Sequence, residues 1–341
     1  MKIDNHVHIG VDPLFYLQGW SPYALDLQRL FNEAGDSGID AWVVFPFVSY
    51  MAFDIEGLRQ NRVELPKHAT HIPYAFENRR LCDDIQRMEP EKQCRLWPFL
   101  MADPFRMPAA QVKEWQKLPS NYPVHGIKIQ PTILQSPIRS LLEEGRCMVE
   151  YAEANNLPFL IHSSIAPDDI WSQCRDILAV AEANPNVRFI LAHSCRFHHE
   201  SLRRVAEMPN TWFDCSAHII HCQCAVKNLP TVAVPAERFP SDYANPTQVL
   251  RDLAEAFPDK LIWGSDAPFY SYEDAKLQMR STYRAEVAAL DALPDSLGEK
   301  VCFQNTLAWL GKTIDSIIYK TLPATKTSQR PSKPVGILAT N

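Results

Sequence analysis

The segment KIDNHVH (residues 2–8) has the pattern of a short β-strand and ends in two histidines, His6 and His8. Side chains at positions i and i+2 of a strand point to the same side, so both imidazoles should face one way. Seven further apolar runs follow, and segments with helical periodicity separate them. These runs span residues 39–46, 94–103, 124–131, 157–163, 187–194, 211–217 and 261–268.

These runs predict the fold class. Several are almost continuously apolar, as is typical of parallel strands that are covered on both faces. Eight strands alternating with helices over about 270 residues match the size of a (β/α)8 TIM barrel, an α/β fold. An open doubly wound sheet is the alternative, but neither GxGxxG nor a P-loop follows the first strand. We expect a barrel domain over residues 1–321 and a disordered tail, rich in Pro, Ser, Thr and Lys, over residues 322–341.

Capping residues mark several helix boundaries. Residues 21–22 (Ser-Pro) predict a helix start, and Gly35 predicts the end of that helix. Residues 245–246 (Asn-Pro) predict a second start of the same kind. The two acids at residues 168–169 predict a third, because the positive end of the helix dipole favours negative charge.

Composition and charge exclude several classes of partner. The 341 residues include 34 Lys+Arg and 40 Asp+Glu, and the net charge of −6 gives no reason to expect nucleic acid or an anionic membrane as partner. The opening MKIDNHVHIG lacks the apolar core of a signal peptide, and the apolar stretch 41–48 is too short to span a bilayer. The nine cysteines include no CxxC pair, which fits reduced thiols. We therefore expect a cytoplasmic protein that acts on a small molecule.

Chemically active side chains stand at the ends of four of the predicted strands. His6 and His8 end the first strand, His162 the fifth, His193 the sixth and Asp266 the eighth. In a barrel these strand ends meet at one face. Burying four imidazoles and a carboxylate together without a metal would leave unpaired polar groups. The set therefore predicts a divalent metal site, suited to zinc first, with manganese, iron or cobalt as alternatives.

The order of several motifs points to a known family. The motifs are DNHVHIG (4–10), Asn78 with Arg79, MADP (101–104), HGIKIQP (125–131), LPFLIH (157–162), LAHS (191–194), WFDCSA (212–217), WGSDAP (263–268) and FQNTLAWLG (303–311). In this order and spacing they resemble the amidohydrolase superfamily, in particular the branch that contains aminocarboxymuconate-semialdehyde decarboxylase. The resemblance covers most of the chain to about Gly311.

The resemblance implies a division of labour at the barrel mouth. It implies that His6, His8, His162 and Asp266 bind one metal, usually zinc, and that His193 lies beside the reacting water. A metal ligand that also accepts the proton of that water would act as general base and then as general acid, and we assign this role to Asp266. His193 would orient the attacking oxygen or stabilise an oxyanion.

Lys128 has three interpretations. It lies in the middle of the fourth strand, two residues before Gln130, and should face inward. In some branches of the superfamily a lysine on this strand is carboxylated and bridges two metals. The alternatives are a free ammonium that binds a substrate carboxylate, which we favour, and a lysine paired with a neighbouring acid.

Other candidates for substrate binding lie in loops. The long connections 47–80 and 218–244 follow strand ends, so both should lie over the barrel mouth. Tyr50, Trp20 and Arg196 are candidate substrate contacts. The segment HIIHCQC (218–224) does not have the spacing of a structural zinc site, and we expect a loop over the pocket.

The predicted function is hydrolysis of a C–O or C–N bond in a lactone, amide or ester of a small carboxylated or ring-containing substrate. A non-oxidative decarboxylase or hydro-lyase acting on an unsaturated or aromatic carboxylic acid is the alternative, because the same ligands support both reactions. A cationic clamp for the departing carboxylate, from Arg79, Arg196 or Lys128, would distinguish them. A barrel that binds a ligand without catalysis should lack the metal ligands. A homodimer is a further expectation, taken from the resemblance.

Overall fold

A curled sheet of eight parallel strands forms the centre of the molecule. The computed structural model describes residues 1–67, 71–119 and 122–313, so the predicted tail lies outside the described residues. The strands are β1 (Ile3–Val11), β2 (Ala24–Leu25), β3 (Ala41–Pro46), β4 (Leu96–Ala102), β5 (Gly126–Ile129), β6 (Phe159–Ile161), β7 (Phe189–Leu191), β8 (Thr211–Asp214), β9 (Leu261–Ile262), β10 (Tyr272–Glu273) and β11 (Gln278–Met279). Their order is β2-β1-β3-β4-β5-β6-β7-β8-β9, in which only β2 runs antiparallel to its neighbour, and β10 and β11 form a separate hairpin.

Helices connect the strands and cover the outside of the sheet. They are α1 (Pro13–Gln18), α2 (Leu27–Ala34), α3 (Ile55–Arg59), α4 (Ala75–Gln86), α5 (Pro90–Gln93), α6 (Pro108–Gln116), α7 (Pro131–Leu134), α8 (Arg146–Ala154), α9 (Cys174–Ala183), α10 (His199–Glu207), α11 (His218–Val226), α12 (Pro246–Ala256), α13 (Tyr283–Asp291), α14 (Asp295–Glu299) and α15 (Asn305–Leu310). Short 3₁₀ segments span Ile138–Leu142 and His193–Phe197, and a π-helical turn spans Lys300–Gln304. None of the described helices is long and apolar enough to cross a membrane.

The first and last strands meet along a seam that closes the barrel. The backbone N–H of His8 donates to the carbonyl of Ala267 over 2.8 Å. The carboxylate of Asp4 accepts from the backbone N–H of Ser265 at 2.8 Å and from its hydroxyl at 2.6 Å. All eight predicted strands are present, and the predicted (β/α)8 TIM barrel is confirmed.

Alternation along the strands separates two apolar layers. On β6, Leu160 packs in the inner layer with Val43 and Phe45 of β3, whereas Phe159 and Ile161 pack in the outer layer with the helices. All five side chains are buried. Truncating Leu160 to alanine would therefore cost about 2–5 kcal/mol of stability. The barrel is a packed core, and it leaves only its upper end for polar side chains.

The structure confirms the predicted start of one helix and the predicted end of another. Helix α12 begins at Pro246, and the Asn245 side chain caps it by accepting from the N–H of Gln248. Gly35 ends α2 as predicted. The start predicted at residues 21–22 is wrong, since α2 begins at Leu27. The backbone of Ser21 is instead paired with Glu273 of β10 through two hydrogen bonds.

The helix start predicted at residues 168–169 is also wrong. Helix α9 begins at Cys174, after Gln173. Asp169 accepts from the backbone N–H groups of Trp171 and Ser172 at 3.0 and 3.1 Å. These bonds hold the chain in a turn. An aspartate side chain can bond to the following backbone N–H groups either in such a turn or at the start of a helix, and here it forms the turn.

Candidate active site

Three of the four predicted metal ligands meet at the seam. His6 and His8 lie on β1, and Asp266 follows β9. Oδ1 of Asp266 is 3.2 Å from Nε2 of His6 and 3.3 Å from Nε2 of His8. A Cβ at Gly264 would lie 2.8 Å from that of His6, so glycine is needed where the two strands approach. We call His6, His8 and Asp266 the ligand group.

The ligand group fits a divalent metal. Its ligand atoms lie within 4.8 Å of one another, and all three side chains are buried. Within the described residues, Oδ1 of Asp266 has no hydrogen-bond partner, which is unusual for a buried carboxylate and would be resolved by a cation. Burial lowers the pKa of His6 to about 4 and that of His8 well below its ordinary value, so both rings are in the neutral form that binds metals.

Asp214, at the end of β8, orients the first ligand. Nδ1 of His6 donates to Oδ2 of Asp214 over 3.0 Å. Nε2 of His6 therefore carries no proton and faces Asp266 as an acceptor. Burial would raise the pKa of Asp214, but His6 and Ser216 hold it at about 2. A carboxylate behind a ligand histidine fixes its tautomer and increases its basicity. We did not predict Asp214 from the sequence, although its place at the end of the seventh run was a usable signal.

Four further polar side chains of the barrel mouth are bonded to one another. Nδ1 of His162 is 2.9 Å from Nε2 of His193. The Arg196 guanidinium donates to Nε2 of His162 at 2.9 Å, to the carbonyl of Ser163 at 2.8 Å and to Nε2 of His221. We call His162, His193, Arg196 and His221 the scaffold group. His162, the fourth predicted ligand, thus has both ring nitrogens bonded outside the ligand group.

Arginine can only donate hydrogen bonds, and this determines the tautomers of its neighbours. Nε2 of His162 must accept from Arg196, so its Nδ1 carries the proton and donates to His193. His193 then donates through Nδ1, which lies 2.9 Å from the hydroxyl of Ser216. Ser216 donates to Oδ1 of Asp214 over 2.5 Å. A continuous chain of hydrogen bonds therefore runs from Arg196 to the carboxylate that orients the ligand group.

A left-handed turn carries two members of the scaffold group. All residues of the stretch 193–197 have positive φ angles, between 48° and 62°. This conformation costs an L-residue about 1–2 kcal/mol. Two backbone bonds hold the turn, from the N–H of Ala233 to the carbonyl of Arg196 at 3.0 Å and from the N–H of Phe239 to the carbonyl of Phe197 at 2.8 Å. The turn brings His193 and Arg196 to the same cavity, which is typical of strain kept at a functional site.

Lys128 lies below the ligand group. Its side chain is fully buried, with Nζ 3.1 Å from Nε2 of His6 and 5.1 Å from the centre of the Phe45 ring. Burial lowers its pKa to about 8, although Asp266 and Asp214 act in the opposite direction. Lys128 is not among the residues that line the cavity, and the structure brings it to the ligand group. Its role as a free ammonium that binds a substrate carboxylate stays a prediction. Its carboxylation remains a prediction.

A cavity of about 400 Å³ opens above both groups. One part of its wall is apolar and includes Phe15, Ile133, Ile220, Phe269, Leu277 and Met279. The polar part includes His8, Gln130, His162, His193, Arg196, His221 and Asp266. A cavity of this size, with an apolar wall facing a set of polar groups, is typical of a site for a small molecule.

Two predicted substrate contacts do not reach this cavity. Tyr50 is buried, and its hydroxyl donates to Oδ2 of Asp103 over 3.4 Å. Trp20 packs edge to face on Phe15 with ring centres 5.2 Å apart, and only Phe15 lines the cavity. Arg196 does line it, as predicted, but three of its N–H groups are already bonded.

The connection after β8 differs from its prediction. The segment 218–224 was expected to form a loop, but it is the first part of helix α11. Its Ile220, His221 and Cys224 nevertheless line the cavity. Every third or fourth residue of the segment is thus on the cavity side, which is a helical period and not that of a loop.

Comparisons with known proteins agree with this fold. A model of the amidohydrolase family matches residues 66–312, well over half of the chain. A comparison with curated protein sequences gave no match. Among solved structures, 47 chains match.

Three of these structures illustrate the range. An amidohydrolase from Burkholderia multivorans, solved with bound zinc, is 13% identical, covers 92% of this chain and 100% of its own, and has a TM-score of 0.56. The IDCase of Metarhizium anisopliae is 14% identical, covers 91% and 97%, and has a TM-score of 0.52. Dihydroorotase from Campylobacter jejuni is 14% identical, covers 92% and 83%, and has a TM-score of 0.51. At these identities the likeness extends to the fold alone, and the predicted branch of the superfamily stays a prediction.

Proposed function

This chain belongs to the amidohydrolase family, and we propose that it is a metal-dependent hydrolase of a C–O or C–N bond in a small carboxylated or ring-containing substrate. Lactones, esters and amides are the candidate bonds. The observation that carries the proposal is the ligand group. Within the described residues, Oδ1 of its Asp266 has no hydrogen-bond partner, and His8 and Asp266 line the cavity of about 400 Å³. Members of the family are generally metal-dependent enzymes, which supports catalysis over mere binding.

The ligand group would hold one divalent metal, zinc in first place and manganese as the alternative. His6 and His8 would bind through Nε2, and Asp266 through Oδ1. His162 is the predicted fourth ligand, although joining them would require it to leave Arg196 or His193. When bound, such a metal supplies Lewis acidity toward a carbonyl oxygen and toward water.

The residues around the metal site would carry the proton transfers. Asp266 keeps Oδ2 for a proton, which it would take from the attacking water and return to the leaving group. Nδ1 of His193 lies 3.8 Å from that oxygen. His193 would orient the attacking oxygen after giving up its Nδ1 bond to Ser216, and Asp214 would keep His6 in its ligand tautomer.

The placement of the cations supports hydrolysis over decarboxylation. In a decarboxylase we expect an unpaired cation on the cavity wall, where it would bind the substrate carboxylate. Arg196 lines the cavity but donates to His162, His221 and the Ser163 carbonyl. Lys128 is not on the cavity wall, and Arg79 is exposed on α4.

Metal analysis tests the proposal directly. We expect about one zinc or manganese per chain in protein purified without added metal, and loss of that metal in His6→Ala. Activity of the metal-loaded protein should then appear with lactones and esters before it appears with aromatic carboxylic acids. Full activity without metal would refute the proposal. Release of carbon dioxide without hydrolysis would favour the decarboxylase.

Cytoplasmic location and a homodimer remain predictions. Light scattering on the purified protein measures the second. A mass near that of a single chain, 38.9 kDa, would contradict the homodimer.

A further inference from the structure

Gln130 occupies a distinctive position on the cavity wall. It follows β5 directly and caps helix α7, with Oε1 accepting from the backbone N–H of Ile133 at 2.7 Å. Only 5% of its surface is exposed, and it lines the same cavity as Asp266 and Arg196.

The cap fixes which end of this amide is free. Because Oε1 is the acceptor for Ile133, the opposite end must be the NH₂ group, which carries two donors and cannot accept. Neither donor has a hydrogen-bond partner within the described residues. A nearly buried amide with one fixed end and one unfilled end is poised to bind a ligand oxygen.

Neighbouring polar side chains are bonded in a different way. The Thr132 hydroxyl donates to Asp169 over 2.6 Å. Both ring nitrogens of His162 and of His193 are bonded. The polar wall beside Gln130 is thus largely committed to interactions within the protein.

We propose that Gln130 is a specificity-determining residue, whose amide N–H groups donate to a carboxylate or carbonyl oxygen of the substrate. The proposal rests on the proposed function in that it places the substrate in the cavity above the ligand group. The site selects substrates that present an oxygen acceptor at this point. A substrate that presents only N–H donors there would meet donors and be disfavoured.

The chain offers a closely matched variant. Gln130→Glu keeps the size of the side chain and an oxygen that can cap α7, and it replaces the NH₂ group by a second oxygen. A role confined to capping therefore predicts an unchanged melting temperature and, apart from the weaker long-range effect of the added charge, little change in ligand binding. Gln130→Met removes the cap and the donors together and serves as the comparison for structural effects.

The probe is isophthalate (benzene-1,3-dicarboxylate), an acceptor-only ring compound, titrated into zinc-loaded protein by calorimetry. We expect Gln130→Glu to raise Kd about tenfold or more, because a donor to a charged oxygen is replaced by a like charge. Its melting temperature should stay near that of the wild type, whereas Gln130→Met should lower it. Equal affinities of wild type and Gln130→Glu would overturn the proposal, and so would the absence of isophthalate binding to the wild type.

This readout does not depend on turnover. Loss of binding in Gln130→Glu without detectable hydrolysis of any lactone, ester or amide would leave the role of Gln130 standing while the proposed function fails. If the protein hydrolyses a lactone, ester or amide but Gln130→Glu binds isophthalate as tightly as the wild type does, the proposed function stands and the role of Gln130 fails.

Discussion

The ligand group and the scaffold group are both built around histidines, but their charged members, the Asp266 carboxylate and the Arg196 guanidinium, differ in bonding. In the ligand group, Oδ1 of Asp266 has no hydrogen-bond partner among the described residues and faces Nε2 of both histidines, and Nζ of Lys128 is 3.1 Å from Nε2 of His6. In the scaffold group, both ring nitrogens of His162 are bonded, and Arg196 donates to three acceptors. The buried oxygen of Asp266, unpartnered in the described part of the chain, marks the ligand group as a place that can bind a cation, whereas the bonds of the scaffold group hold its members in position.

The largest effect is expected from the ligand group. Asp266→Ala and His6→Ala should each reduce kcat/KM by about 10³-fold or more, since each removes a predicted ligand and Asp266 also carries the proton. Steady-state kinetics with the best lactone or ester measures this. Either variant at wild-type activity would remove the distinction between the two groups.

Asp214 links the groups, so its replacement should have the next largest effect. Asp214→Asn keeps the shape of the side chain but loses the charge that favours a proton on Nδ1 of His6. Metal affinity should fall about 10–100-fold, as is usual for partners of ligand histidines. Competition with a chelating dye measures the dissociation constant. An unchanged constant would show that the tautomer of His6 is set without Asp214.

His162 is the residue whose group is in question, because it is a predicted metal ligand but is bonded to members of the scaffold group. If its place is in the scaffold group, His162→Asn should lower metal affinity by no more than about tenfold, clearly less than the same change at His8. The same chelator competition, run on both variants, gives the comparison. Equal losses would make His162 a full ligand and move it into the ligand group.

Glu286 tests the support behind the scaffold group and should have the smallest effect. It is buried on α13 and accepts at 3.3 Å from the N–H of Ile219, on the helix that carries His221. Burial raises its pKa from 4.5 to about 8. A raised pKa in the folded state means that its contribution to stability is complete below about 4.5 and is lost as pH rises toward about 8.

The expected outcome is a change in the pH dependence of unfolding. Glu286→Gln cannot ionise, so its stability should fall less between pH 5 and pH 8, and at pH 8 it should exceed that of the wild type by roughly 1–3 kcal/mol. Urea denaturation at both pH values measures the difference. Parallel curves for the two proteins would contradict the assignment of a neutral, buried Glu286.

The sequence could predict the strands because their signal is local. On β6, three buried apolar residues in a row end at His162, and the same pattern places His193 and Asp266 at strand ends. The starts of α2 and α9 were missed because distant or competing bonds decide them. Ser21 pairs with Glu273, which lies far away in the chain, and Asp169 bonds locally to the two backbone N–H groups that follow.

The site could be predicted as a set of residues but not as a network of bonds. His6, His8 and Asp266 meet because strand ends meet, and this follows from topology. The pairing of Arg196 with His162 depends on the left-handed turn at residues 193–197, and a stretch of five L-residues with positive φ has no sequence signal. Tyr50 could not be recognised as a buried partner of Asp103 either, because the two residues are 53 positions apart and only the fold brings them together.

The seam has a consequence for how the barrel holds together. Its partners Asp4 and Ser265 are 261 positions apart, so the seam joins two ends of the ring that the chain itself keeps apart in sequence, at a loop-closure cost that grows only slowly with loop length. The ligand group straddles the same line, with His6 and His8 on one edge and Asp266 on the other. An ion bound there would act as a cross-link between the two ends of the ring and stabilise the closed form by mass action. Chelation should then increase amide hydrogen exchange in β1 before it does so in β6 or β7.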